Sequence, residues 1–327
     1  MSTPMLTALV KSMRHEADGV VSLELRPAQA GSSFPAFTAG AHIDVHLPNA
    51  LVRSYSLLNP ETERDRYVIG VLLDRNTRGG SRCVHEQLRV GMTVPISAPR
   101  NNFPLDLAAP SSVLVAGGIG ITPLMSMHAA LASRRMPVEF IYCARSRREA
   151  AFLDELAVMA QAAGTRLTLH FDDERSAPPD LATLLQGHGA DTHLYCCGPG
   201  PMLDAFEQAC ASLAYVNVHT ERFAAIPSSV APADATGGGS GYQVELRRSG
   251  KTLDVPSGKP LLDVLLDAGV AQDYSCREGI CGACETRVLS GEVEHHDSIL
   301  TKAERESNKT MMVCVSRCRR GTLVLDI

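Results

Sequence analysis

Four cysteines carry the clearest chemistry in this chain of 327 residues. Cys276-x4-Cys281-x2-Cys284, completed by the distant Cys314, is a ligand spacing that holds a 2Fe-2S cluster on four thiolates. Three thiolates on one loop can wrap one side of such a cluster while a fourth, from a separate segment, closes the remaining iron site. Gly279 and Gly282 let the loop backbone approach and aim N–H groups at sulfur, which steadies the more negative reduced form. Zinc would favour two C-x2-C pairs or a Cys/His mixture. His295 and His296 are adjacent, so they point apart on a regular backbone, and solvated surface is the expected place for both. Cys318 reads as a packed small residue, as do Cys83, Cys143, Cys196 and Cys210.

A second set of residues suits a flavin and a nucleotide. Arg53-Ser54-Tyr55-Ser56 places a cation, a ring and hydroxyls on one strand, with Arg53 and Tyr55 sharing a face. An isoalloxazine needs an aromatic to stack on, a donor near N5 and a cation for its phosphate, which Tyr55, Ser56 and Arg53 can supply. A tyrosine packed in the core is the plain alternative. Arg78-Gly79-Gly80-Ser81 ahead of a helix expected over 81–88 frees backbone N–H groups for a phosphate, or is simply a turn. A buried strand over 112–116, the turn Gly117-Gly118-Ile119-Gly120 and Thr122-Pro123 predict an N-cap threonine, a proline at the first helical position and a pyrophosphate site. Glycine turns also serve close strand–helix packing. Tyr195-Cys196-Cys197-Gly198-Pro199 ends the last α/β strand, where ligands bind in open sheets, so Cys197 is either near the nicotinamide or structural. Asp172 and Asp173 follow a strand over 166–171; a carboxylate there accepts from ribose hydroxyls and repels a 2′-phosphate, or caps a turn.

The elements that must position these residues fall into three blocks. Turn-punctuated strands over 20–25, 42–47 and 67–73 predict an antiparallel β-barrel domain over 1–106. Strands over 112–116, 138–143, 166–171 and 192–196, separated by helices such as 150–163, predict a doubly wound α/β domain over 107–225. Residues 226–241 are rich in Pro, Gly and Ser and read as a linker. Strands over 243–247 and 322–326 with a helix over 260–268 predict an α+β domain over 242–327. With 45% hydrophobic and 20% charged residues and a mean hydropathy of -0.01, the composition is that of a folded globular protein. Basic residues number 31 against 36 acidic and no polybasic run occurs, which argues against a nucleic-acid partner. The uncharged stretch 107–133 is broken by its glycine turn and proline, which argues against a membrane span. The opening residues show no secretory signal, and ten cysteines fit thiol or metal chemistry, so a cytoplasmic location is expected.

Taken together, RSYS at 53–56, RGGS at 78–81, APRNNFPL at 98–105, VAGGIGITP at 115–123, YCCGP at 195–199 and CREGICGAC at 276–284 resemble the phthalate dioxygenase reductase and vanillate demethylase reductase family. The resemblance covers essentially the whole chain; the departures are Cys318 and a GGGSG at the end of the linker. It implies the order FMN-binding barrel, NAD-binding domain and plant-type ferredoxin (β-grasp) domain. It also implies FMN gripped by Arg53, Tyr55, Ser56, Val71, Leu72, Gly79, Gly80, Ser81 and Thr122, with Phe223 shielding the flavin where nicotinamide enters. The implied activity is an NADH-dependent flavin iron-sulfur oxidoreductase, a monomer serving the terminal Rieske oxygenase component of a system for an aromatic acid. NADH gives up two electrons together and a 2Fe-2S cluster takes one at a time, a mismatch that FMN resolves. The alternatives are another acceptor, such as a hybrid-cluster protein or separate ferredoxin, and a flavin/cluster redox sensor, for which no DNA-binding motif speaks.

Overall fold

Alternating strands punctuated by glycine and proline close into a barrel in the computed structural model, which describes residues 5–75, 78–224 and 241–327. Contacts gather the chain into two units, Met1–Phe223 and Ala224–Ile327. The linker expected over 226–241 lies outside the described residues except for Gly241.

The first unit opens with β1 (Leu6–Ala17), β2 (Val20–Pro27), β3 (His42–His46), β4 (Val52–Ser56), β5 (Tyr67–Leu72), α1 (Gly80–Glu86) and β6 (Thr93–Ile96). Its sheet runs β4-β3-β6-β1-β2-β5, and Leu57 bridges Ile69, so the two edge strands meet. Closure leaves few unpaired edges and encloses Leu23, Ile43, Leu57, Tyr67 and Ile69.

The same unit continues with β7 (Ser112–Gly117), α2 (Ile121–Ser133), β8 (Val138–Ala144), α3 (Leu153–Ala163), β9 (Arg166–Phe171), the single turns α4 (Asp172–Arg175) and α5 (Leu181–Leu184), β10 (His193–Cys197), α6 (Gly200–Ser212) and β11 (Val218–Glu221). All five strands are parallel in the order β11-β10-β7-β8-β9. From β7 the chain winds outward through β8 and β9 and then returns to the other side of β7. The gap between the C-terminal ends of β7 and β10 is therefore the topological switch point, the crevice where open α/β sheets bind ligands.

Two helix starts differ from expectation. A 3-10 turn at Gly118–Gly120 begins α2 at Ile121, with Gly120 as its cap. Thr122 is thus inside the first turn, donating its hydroxyl to the Ile119 carbonyl at 3.1 Å. Pro123 is tolerated there because its missing N–H belongs to the set that no helical carbonyl can reach. The helix expected from 150 starts at Leu153, because Phe152 takes a left-handed φ of 58°.

The second unit comprises β12 (Tyr242–Leu246), β13 (Lys251–Val255), α7 (Leu261–Asp267), β14 (Glu285–Glu294), α8 (Lys302–Ser307), β15 (Thr310–Met312) and β16 (Arg317–Leu325). Its sheet runs β13-β12-β16-β14-β15, with β12 and β16 parallel, and α7 packs Leu261, Leu262 and Leu265 against it. This is the β-grasp arrangement that the family resemblance implies. Among the described residues no helix is long and apolar enough to cross a membrane.

Candidate functional site

The switch point is built by glycines on both sides. A Cβ at Gly117 would strike Pro199 and Met202, and one at Gly120 would land on the Cys197 carbonyl. The GGIG turn and the CCGP segment thus lie backbone against backbone, and these two glycines serve that contact first. Gly118 has φ +53° and open space beside its Cα, so the turn offers its backbone to a ligand there. Gly198 lies within the contact, and Pro199 caps α6.

Cys197 is fully buried, and burial with the neighbouring Glu221 carboxyl pushes its thiol well above the usual range. Glu221 pairs with Cys197 across β10 and β11. Its Oε2 is buried without a hydrogen-bond partner, and burial pushes its carboxyl up to about 8. Burial thus favours the protonated form of both groups. Sequence reasoning did not single out Glu221 as a site residue; an acid closing a short strand gives no local cue to burial. Phe223, just beyond, exposes 38% of its surface, an apolar ring open to a planar ligand. Asp172 and Asp173 begin α4 after β9, the edge strand two places from β7. Asp172 lies 3.4 Å from the His170 ring nitrogen, while Asp173 donates its backbone N–H to the Arg145 carbonyl and leaves its exposed side chain to solvent.

On the barrel, Arg53 and Tyr55 share one face of β4. The Arg53 side chain lies across the start of α1 so closely that a Cβ at Gly80 would meet its Nε at 2.6 Å. Gly79, φ +93°, is the N-cap of α1 and its carbonyl accepts from the Asn49 amide at 3.2 Å, and Ser81 accepts from the Asp74 N–H at 3.2 Å. A guanidinium laid over a helix start fits a phosphate. Tyr55 is half-buried, and Ser56 has a buried hydroxyl with no hydrogen-bond partner. An orphaned hydroxyl beside a half-buried ring fits the flavin requirements. Ser54 points the other way, donating to Asp44 at 2.7 Å, and Asp44 is in turn paired with Arg100 at 2.7 Å. The Ser54 side chain therefore serves the barrel, and only its backbone remains for a ligand. Arg78 is exposed, Val71 buried and Leu72 exposed along the same rim.

β5 and α2 meet through Gly70, where a Cβ would come within 2.8 Å of Thr122 Cγ2 and 3.1 Å of the Phe152 ring. Thr122 and the Phe152 ring thus both lie against the strand bearing Val71 and Leu72.

In the second unit the four cysteines expected as ligands are all buried and stand in two pairs, Cys276 with Cys281 and Cys284 with Cys314. Within each pair one sulfur donates to the other. The hydrogen bond from Cys281 lowers Cys276 to about 6, and that from Cys314 lowers Cys284, while both donors are raised. Backbone N–H groups converge on the sulfurs: Glu278 on Cys276 at 3.3 Å, Cys276 on Cys281 at 3.5 Å and Gly279 on Cys314. Among the described residues no three His, Cys, Asp or Glu side chains gather as ligands of a single ion. Two plus two thiols fit a binuclear cluster, which takes two thiolates on each iron. Cys318 is buried in the core, its thiol donating to the Arg320 carbonyl at 3.1 Å. The histidines separate: His296 is partly exposed, but the His295 side chain is only 8% exposed, 3.5 Å from Asp297. Adjacent residues face opposite ways where β14 ends, so one ring turns outward and the other under the loop.

Residues 244–319 match the 2Fe-2S iron-sulfur cluster binding domain family, and residues 114–208 match the oxidoreductase NAD-binding domain family. The phenoxybenzoate dioxygenase subunit beta of Ectopseudomonas oleovorans is 46% identical over 97% of this chain and 96% of its own length. The tetrachlorobenzoquinone reductase of Sphingobium chlorophenolicum is 46% identical over 100% of both chains. Among solved structures, phthalate dioxygenase reductase, described as a modular structure for electron transfer from pyridine nucleotides to 2Fe-2S, is 36% identical with a TM-score of 0.72, covering 99% of this chain and 98% of that one. An intact type IV self-sufficient cytochrome P450 monooxygenase is 37% identical with a TM-score of 0.87, covering 99% of this chain but only 41% of that one. With a glycine-lined crevice in one unit, paired buried thiols in the other and reductase relatives matching over nearly their whole length, the chain belongs to the phthalate dioxygenase reductase family.

Proposed function

We propose that this protein is the reductase component of a two-component oxygenase system, taking electrons from NADH through FMN and a 2Fe-2S cluster to a separate terminal Rieske oxygenase that acts on an aromatic acid. The observation that carries this reading is the pairing of four buried thiols on a chain that also holds the glycine-lined switch-point crevice. When bound, FMN supplies two-electron acceptance from NADH and one-electron delivery to the cluster. The protein's own part is to hold and orient. Arg53, Arg78, Gly79, Gly80 and Ser81 take the flavin phosphate, while Tyr55, Ser56, Val71, Leu72 and Thr122 frame the ring. Gly117, Gly118, Gly120, Gly198 and Pro199 seat the dinucleotide, Cys197 floors the nicotinamide end and Phe223 covers the flavin until nicotinamide displaces it. Cys276, Cys281, Cys284 and Cys314 ligate the cluster. We assign 1–106 to flavin, 107–225 to nicotinamide, 226–241 to a linker and 242–327 to the cluster. The protein acts as a cytoplasmic monomer; ten free thiols suit a reducing compartment.

Anaerobic addition of NADH should bleach the flavin and bring up the EPR signal of a reduced 2Fe-2S cluster, and heat-released flavin should run as FMN. An AMP-containing flavin, or bleaching without the EPR signal, overturns the assignment. A relative named for tetrachlorobenzoquinone favours a second reading, in which the acceptor is a small quinone. Fast NADH-driven quinone reduction with no gain on adding any Rieske oxygenase decides for it.

NADH should be preferred over NADPH at least tenfold in kcat/KM, since Asp172 and Asp173 repel a 2′-phosphate; tenfold corresponds to about 1.4 kcal/mol. Asp172→Ala and Asp173→Ala together should narrow the ratio. Equal kcat/KM for the two nucleotides in the unaltered protein removes this role.

A further inference from the structure

Asp297 lies outside every residue set assigned above, yet its carboxyl is fully buried in the second unit. It stands at the meeting of the two segments that carry the cluster cysteines. On one side is the three-cysteine loop: Gly279, φ +70°, comes so near that a Cβ would meet the Asp297 Cα at 2.9 Å, and the Ser298 N–H donates to the Gly279 carbonyl at 2.9 Å. On the other side is the turn that holds Cys314. The Ser316 hydroxyl donates to Asp297 Oδ1 at 3.4 Å and accepts from the His296 N–H at 3.2 Å. The carboxyl also closes its own turn, accepting from the Ile299 N–H at 3.3 Å and the Leu300 N–H at 2.9 Å.

One full cation faces this carboxyl. Arg305, on α8, donates to the Asp297 backbone carbonyl at 2.6 Å and sits 3.7 Å from Oδ2. Burial of a carboxylate is costly unless it is paired and hydrogen-bonded, and here backbone, hydroxyl and guanidinium together meet that cost. A charge fixed in a water-poor interior acts strongly on an electron added nearby. A negative charge opposes that electron and a positive one favours it.

We propose that Asp297 is a positioning residue for the cluster: it clasps the loop of Cys276, Cys281 and Cys284 to the segment of Cys314, and its charge, balanced by Arg305, holds the reduction potential down. The inference rests on the assignment of those four cysteines as cluster ligands. Loss of the charge should raise the potential without opening the clasp, because an amide keeps one acceptor oxygen. Removal of the side chain should open the clasp and free the cluster.

The test uses the full-length holoprotein. Dye-mediated redox titration read by EPR should show the ratio of reduced to oxidised cluster at a fixed poise rising about tenfold in Asp297→Asn, which is 59 mV for a one-electron couple. Arg305→Gln should move the ratio the opposite way. Asp297→Ala should lose iron to a chelator at least tenfold faster than the unaltered protein, and Ser316→Ala should fall between them. An unchanged potential in both Asp297→Asn and Arg305→Gln overturns the charge role, and an unchanged iron release in Asp297→Ala overturns the clasp. If Asp297→Ala does not fold, Ser316→Ala decides the clasp by the same chelator measurement. An unaltered protein with neither iron nor the EPR signal defeats the underlying ligand assignment instead, which keeps the two failures apart.

Discussion

A chain ending at Phe223 will retain FMN and oxidise NADH with a two-electron dye, but will reduce cytochrome c or a terminal oxygenase on the order of 100-fold more slowly than the full-length protein. Among the described residues the barrel and α/β cores draw none from beyond Phe223, so removing the second unit takes no described core residue from either. The residues proposed for flavin and nicotinamide all remain, while every thiol proposed to hold the one-electron carrier is lost. The linker proposed over 226–241 would keep that carrier at roughly millimolar effective concentration for the flavin, an advantage that free diffusion to an external acceptor does not replace. The measurement is steady-state turnover with dye, cytochrome c and a reconstituted oxygenase in parallel. Full oxygenase turnover by the truncated chain would mean that electrons leave directly from the flavin, and the proposed order of carriers would fall.

Serine at any one of Cys276, Cys281, Cys284 or Cys314 will abolish or distort the EPR signal of the reduced cluster and strip most electron delivery to a protein acceptor. Each thiol belongs to a pair, so one replacement would remove one of the four thiolates proposed to hold the cluster. The second unit should also melt at lower temperature, because ligand binding that requires the folded state stabilises that state. NADH-dependent bleaching of the flavin should continue. Cys318→Ser is the control: its thiol donates to the Arg320 carbonyl, so the signal should persist. A signal lost there and kept in Cys314→Ser would show that the closing ligand had been assigned to the wrong thiol.

What could be read before the structure was mostly local. The cysteine spacing, the glycine turns and the strand–helix alternation are short-range patterns, and each marked an element that the fold contains. Errors came where distant residues decide the outcome. Ser54 looked like its neighbours on β4, but Asp44 and Arg100 on other segments claim its hydroxyl. Thr122 had the chemistry of a cap, yet a 3-10 turn within the glycine run begins the helix earlier. His295 carries a polar ring that the sequence places at the surface, whereas the loop after β14 folds it under. Glu221 and Asp297 could not be singled out at all, since their interest lies in being buried and nothing adjacent to them announces it. Gly117 and Gly120 were visible as a ligand turn, but their closest demand is the opposing CCGP backbone.

Phe152 keeps a left-handed backbone that costs an ordinary L-residue roughly 1–2 kcal/mol, and a glycine would be free of that cost. Its ring and the Thr122 methyl both lie against Gly70, so the barrel and the α/β layer meet through three residues packed on one another. A side chain at 70 would need a smaller ring at 152, and a smaller ring at 152 would leave a void that only growth at 70 or 122 could fill. Among related reductases a side chain at 70 should accordingly come with a smaller residue at 122 or 152, so that the seam between barrel and sheet is rebuilt as a set rather than one position at a time.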